Sequence, residues 1–203
     1  ASSLIGQSRN RNLTRRYSTH PTKPALTELT TLVEGKIHMT TRDELITEIH
    51  RVRDYSNTII HNIDLGDWFR KPGNVTHVAW QVGHLAVAEY GIGIKRIATD
   101  HSNHEAPIPE NYFALFGKGS VPADHSSTHP GPKQILSVFN RVHQTVLENL
   151  EQVSDDQLDE PTDGTHPMFT DKRGCPRWLM QHEYSHAGQL GLLRRQLGQD
   201  PLW

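Results

Sequence analysis

Four stretches of this 203-residue chain place their apolar residues every three or four positions. In 41–64 the stripe is Leu45, Ile49, Val52, Ser56, Ile59 and Ile63. In 132–153 it is Ile135, Phe139, Val142, Val146 and Leu150, and in 176–197 it is Leu179, His186, Leu190, Leu193 and Leu197. Such spacing gives a helix one apolar face that has to be buried against another element. The remaining stretch, from Val75 or Thr76 to 98, is expected to turn His77, Trp80, His84, Val87, Ala88 and Gly91 inward. No segment alternates with period two over strand length, so no sheet is expected. The predicted fold is all-α, a four-helix bundle.

Local punctuation agrees. Thr41 and Glu44 have capping-box spacing. "RKPGN" (70–74) breaks the chain, Pro132 suits a first helical turn, and Gly198 suits a C-terminal cap. Residues 100–130 are rich in Pro, Gly, Ser, Asn and His, and are too long for a plain bundle turn. They read as a crossover between helices 2 and 3, anchored by "NYFALFGKG" (111–119), so the order is not simple up-down-up-down. Residues 1–38 are polar, with no acid before Glu28. They are expected to be an extension outside the fold, either a segment resembling organelle transit peptides or a plain tail. Met39 sits where an initiator would, and 39–203 is expected to be the folded domain.

Composition narrows the function classes. No apolar run approaches the ~18 residues that span a membrane. With 21 basic and 23 acidic residues and no basic helical stripe, nucleic acid is not an expected partner. The lone Cys175 excludes an internal disulfide and fits a reducing, cytoplasmic setting. Histidine is the unusual count, 14 in all.

Two of these histidines stand in "HEYSH" (182–186), a literal H-E-x-x-H. In zinc proteases that spacing puts two ligands on one helical face and makes the glutamate the base. A protease of that kind needs a third ligand downstream, but after His186 the chain holds no His, Cys or Glu. The protease is therefore the remote alternative, and a third ligand must come from upstream. His84, with Trp80 one turn before it and Gly83 leaving room for another helix, is the candidate; His77 is its competitor, with a capping or rim role. Satisfied core histidines are the plain alternative for the 182/186 pair. His50 and His61 read as solvated, and His143 as packing or surface. Glu183 is the tentative catalytic residue, as a proton acceptor or by orienting a histidine; the alternative is a partly exposed charge. Tyr184 and Gln189 are weaker supporting candidates. Arg194 and Arg195 either pair with substrate anions or simply favour the helix dipole.

"HVAWQVGHL" (77–85), "FGKGS" (116–120), "ILSVFNRVHQTVLENLEQVSDDQLDEP" (135–161) and "HEYSHAGQLGLLRRQLG" (182–198) together resemble motifs of the DinB-like superfamily of metalloenzymes. The resemblance covers about 41–198. It implies a bundle of up-down-down-up topology with a divalent metal held by His84, His182 and His186. It also implies thiol-dependent S-transferase or isomerase activity in some members, and homodimers in many. Residues 1–38 depart from the family pattern. Three imidazoles with an open position suit zinc, nickel or iron. The expected function is activation of a low-molecular-weight thiol, or of water, toward an electrophile. A non-catalytic, metal-binding stress-response bundle is the alternative.

Overall fold

The computed structural model describes residues 41–97, 106–123 and 129–203. The 1–38 extension, Met39, and His101, His104 and His125 lie outside the described residues. The helices are α1 (Thr41–Ile60), α2 (Val78–Glu89), α3 (Asn111–Phe116), α4 (Pro132–Gln152), α5 (Asp155–Leu158) and α6 (Gly174–Gln196). A short antiparallel pair, β1 (Pro161–His166) and β2 (Phe169–Asp171), precedes α6. The fold is mostly helical, and the expectation of no sheet is corrected by this hairpin. Its residues are largely exposed and polar, so no alternating apolar signal marks them. Among the described residues, no helix is long and apolar enough to cross a membrane.

The stripes do what their spacing requires. α1 packs on α6 and α2 on α4, with α2–α6 and α1–α4 completing the contacts. One apolar cluster holds Ile59, Trp68, Val82, Phe116, Phe139 and Leu190. A second, nearer the hairpin, holds Leu45, Ile49, Leu150, Leu158 and Cys175. Full burial of such side chains contributes roughly 1.5–3 kcal/mol each.

α2 departs most from its sequence reading. It is buried nearly all round through Val78, Ala79, Gln81, Val82, Gly83, Leu85, Ala86 and Glu89. Trp80, His84, Val87, Ala88 and Gly91, expected inward, are only half-buried. His84 therefore looks out from the edge of the core and not into its centre. Gly83 does allow a close approach, but the neighbour is a side chain of the crossover: a Cβ there would lie 2.5 Å from the Phe116 ring. Phe116 belongs to α3, the helical form of the predicted apolar anchor. α2 ends in a π-turn, Tyr90–Ile94, closed by Lys95 N–H donating to the Tyr90 carbonyl at 3.2 Å.

The caps also differ. α1 begins at Thr41, and its opening amides find an acceptor from a distant element. The amides of Thr41 and Arg42 donate to the Asp155 carboxylate, at 3.3 and 2.9 Å, from the start of α5. His77 is the N-cap of α2, so the capping reading holds. Its Nδ1 accepts the Trp80 amide, and its Nε2–H donates to the Ala123 carbonyl, both at 3.0 Å. Gly198 ends α6 at φ 89°, a left-handed conformation that glycine adopts at little steric cost.

His77 can cap only while Nδ1 carries a lone pair. Burial, reinforced by His129 and Lys71, lowers its pKa to about 4 against the opposing hydrogen bond to Ala123. The unfolded chain takes up this proton first, near an ordinary pKa of about 6.5, so stability is full above that and falls as pH drops toward 4. The expected loss from this one residue is roughly 3 kcal/mol. Urea titrations between pH 7 and pH 4 should show it, and His77→Asn, which keeps a capping acceptor, should lose stability less steeply. Equal slopes would refute the assignment.

Candidate metal centre

α2 supplies His84, and α6 supplies His182 and His186 one turn apart. The structure brings the three together: one ligand-capable nitrogen from each lies within 4.8 Å of the others. His84 and His182 are half-buried and His186 is buried. His77, the competitor, lies outside this group.

Two of the rings are locked by hydrogen bonds on the side away from the cluster. His84 Nδ1–H donates to the Phe116 carbonyl at 2.7 Å. His186 Nδ1–H donates to Gln81 Oε1. The Gln81 amide is fixed in turn, its Nε2 donating to Gln189 Oε1 at 2.9 Å and to Thr76 Oγ1 at 3.0 Å. Both tautomers therefore leave Nε2 with a lone pair, the arrangement that metal-binding imidazoles use. His182 Nε2 and His186 Nε2 stand 3.2 Å apart. Two ligands of a tetrahedral zinc at 2.0–2.1 Å would be about 3.3 Å apart, so the donor set fits a divalent cation.

Electrostatics agree. Burial, and then the neighbouring His84 ring, lower the pKa of His182 to about 4. Burial, and then His182 and His84, lower that of His186 to about 3. Burial also lowers His84, against its bond to Phe116. All three are neutral at pH 7, as metal ligation requires. Indole walls flank them. Trp80 stacks on His84 at 4.7 Å and 7°, held by Nε1–H donating to Ser120 Oγ at 2.9 Å. Trp178 lies 6.2 Å from His182.

Glu183 lies between the two α6 histidines in sequence but is engaged elsewhere. It is buried, which corrects the reading of a partly exposed charge. Both oxygens accept from Arg53: Oε1 from Nε at 2.9 Å and Oε2 from Nη2 at 3.1 Å. Arg53 Nη2 also donates to Glu89 Oε2 at 2.7 Å, and Nη1 to the Phe139 carbonyl at 3.3 Å. Its guanidinium lies 3.6 Å from the centre of the Phe139 ring. His143 Nδ1–H completes the set, donating to Glu89 Oε1 at 2.7 Å. His143 is thus a buried polar partner and not surface, whereas His50 and His61 are exposed as expected.

Burial alone would disfavour the charge on Arg53, but Glu89 and Glu183 overcome that and hold its pKa above the ordinary value. Burial likewise opposes ionisation of Glu89, and Arg53 with His143 reverses it. This network joins α1, α2, α4 and α6 at one point. Sequence reasoning missed Arg53, Glu89 and Gln81. Tyr184 is exposed, Gln189 supports Gln81, and Arg194 Nε donates to the Asn62 carbonyl at 3.1 Å.

Removing one partner of a buried charge network leaves the others uncompensated, at roughly 3–5 kcal/mol. Arg53→Leu is expected to destabilise by that amount in equilibrium denaturation, and adding Glu183→Gln should recover part of it. If Arg53→Leu matched the parent, the network would not be what aligns the helices.

A model of the DinB superfamily matches residues 48–190, well over half of the chain, including the three histidines and the Arg53 network. No curated protein matches the chain significantly.

Proposed function

The chain belongs to the DinB superfamily, and we propose that it is a metalloenzyme that activates a small-molecule thiol, or water, for transfer to an electrophile or for isomerisation. One observation carries this reading: three neutral imidazoles converge, and two of them are pre-oriented through Nδ1 so that Nε2 faces the common space. His84, His182 and His186 would hold the ion. A divalent metal there, zinc, nickel or iron, would supply Lewis acidity that lowers the pKa of a thiol or water. The protein's own part is orientation and water exclusion. Gln81 and the Phe116 carbonyl fix the rings, and Trp80 and Trp178 wall the site. Glu183, with both oxygens on Arg53, acts as a positioning residue for α6 and not as a base, which also argues against proteolysis. We read the helix pairings as the up-down-down-up bundle of the superfamily, with 39–203 as its domain and 1–38 as an extension.

The rival reading is a non-catalytic bundle in which the metal ties α2 to α6. Arg53 already makes that tie by bridging Glu89 of α2 and Glu183 of α6, which favours catalysis. The setting we propose is the cytoplasm, consistent with the free, buried Cys175, and the partner is a small molecule and not nucleic acid. A homodimer is proposed through α1 and α6, where Tyr55, Tyr184, Leu192 and the terminal Trp203 are exposed.

Elemental analysis of the native protein should find about one divalent metal per chain, and His84→Ala, His182→Ala and His186→Ala should each lose it. Full stoichiometry in His84→Ala would overturn the triad. A thiol panel on the cobalt-substituted protein should give a sulfur-to-metal charge-transfer band. A protein that unfolds on chelation and responds to no thiol would favour the structural alternative. Light scattering should show a dimer that Leu192→Glu disperses, and a monomeric parent would refute that interface.

A further inference from the structure

Beside the histidine centre the fold leaves positive charge unneutralised. Arg96 follows the π-turn that ends α2. It is half-buried, its Cζ lies 5.5 Å from the centre of the Phe169 ring, and its Nη1 is buried without a hydrogen-bond partner. A buried donor without an acceptor is costly, and native structures rarely keep one that nothing satisfies. His166 of β1 stacks on the same Phe169 ring at 4.1 Å and 18°. Trp178 comes next, 5.8 Å from His166 and 6.2 Å from His182. Arg96, Phe169, His166 and Trp178 thus form a continuous run of side chains from the hairpin to the triad.

Lys118 is exposed on the crossover just beyond the Phe116 carbonyl that holds His84, and its charge is felt at His166. Burial, then Arg96 and Lys118, keep the His166 pKa below the ordinary imidazole range. The neutral ring is still a donor, because Nδ1 accepts the Met168 amide at 3.2 Å and the proton is left on Nε2. Several charges flanking the hairpin strands are already engaged. Lys172 pairs with Glu160 at 2.8 Å, Arg173 with Asp159 at 2.6 Å, and Asp171 accepts the Gly174 amide at 2.7 Å. No described acid pairs with Arg96 or Lys118.

We propose that Arg96 and His166, packed on one Phe169 ring, form a subsite for an anionic group, a carboxylate or phosphate, on the molecule whose reactive end lies at the three-histidine centre, with Lys118 adding positive charge at longer range. The subsite offers a charged guanidinium and a neutral imidazole N–H, which is the chemistry that recognises such oxygens. It deepens the proposed function and rests on it: the substrate or thiol carries an acidic end. The breadth of the Trp178 indole separates that end from the reacting atom, which selects elongated molecules over short alkyl thiols.

The test titrates the native protein with inorganic phosphate and follows the His166 ring proton by NMR. A saturable shift is expected in the parent. Arg96→Gln should weaken it about tenfold, the scale of one charge-assisted contact, while Arg96→Lys retains most of the affinity. His84→Ala should leave the response intact, because the subsite needs no metal. No saturable shift in the parent, or an unchanged one in Arg96→Gln, would overturn the proposal. So would a response lost in His84→Ala but kept in Arg96→Gln, which would place the anion on the histidine centre. Should circular dichroism show Arg96→Gln unfolded, Lys118→Ala carries the test: several-fold weaker binding supports the subsite, and parent-like binding refutes it. If the metal and thiol reading fails while phosphate still moves His166, only the link between the two sites is lost.

Discussion

A guanidinium buried in the middle of a helical bundle sets the terms for everything around it. Arg53 is 3% exposed, and its charge survives there only because two carboxylates and a carbonyl reach it from other helices. Those partners fix more than an energy. A bidentate contact with Glu183 specifies which way α6 is rotated, and the contact with Glu89 does the same for α2. His182 and His186 flank Glu183, so holding the glutamate inward holds the two imidazoles at its shoulders. An apolar core of similar volume would bind the helices as firmly, but would leave them freer to slip in register.

The histidine centre inherits that order and refines it. His84 takes its orientation from the Phe116 carbonyl, and His186 takes its own from the Gln81 amide. Neither needs to lose a proton at neutral pH to become a ligand, since burial has already made the neutral form the stable one. The crossover, a connection by sequence, turns out to be part of the site: Phe116 and Ser120 support His84 and Trp80.

The histidines were readable because ligand spacing on a helix is a local property. Two imidazoles four residues apart must share a face, and a lone histidine beside Trp80 and Gly83 stood out on α2. Arg53 was not readable. In "HRVRDYS" it sits among charges, one step from the apolar stripe, and its partners are 36 and 130 residues away. The cap of α1 was missed for the same reason, since Asp155 comes from over a hundred residues downstream. The hairpin escaped because its strands are short and mostly polar, with Phe169 as the one buried apolar side chain and no alternation to mark it. His143 looked peripheral by periodicity because the stripe it flanks widens to admit Glu89.

The π-turn at Tyr90–Ile94 has a consequence in angular phase. An α-helix advances about 100° per residue, so positions seven apart nearly eclipse one another. Glu89 and Arg96 would then project from one side of an unbroken α2. The single extra residue of a π-turn retards the helix by about 100°. Glu89 stays in the core with Arg53, while Arg96 swings round to Phe169 on the hairpin side. One irregular turn at the end of α2 thus lets neighbouring residues serve two neighbourhoods of unlike charge, Glu89 with Arg53 and Arg96 with Phe169.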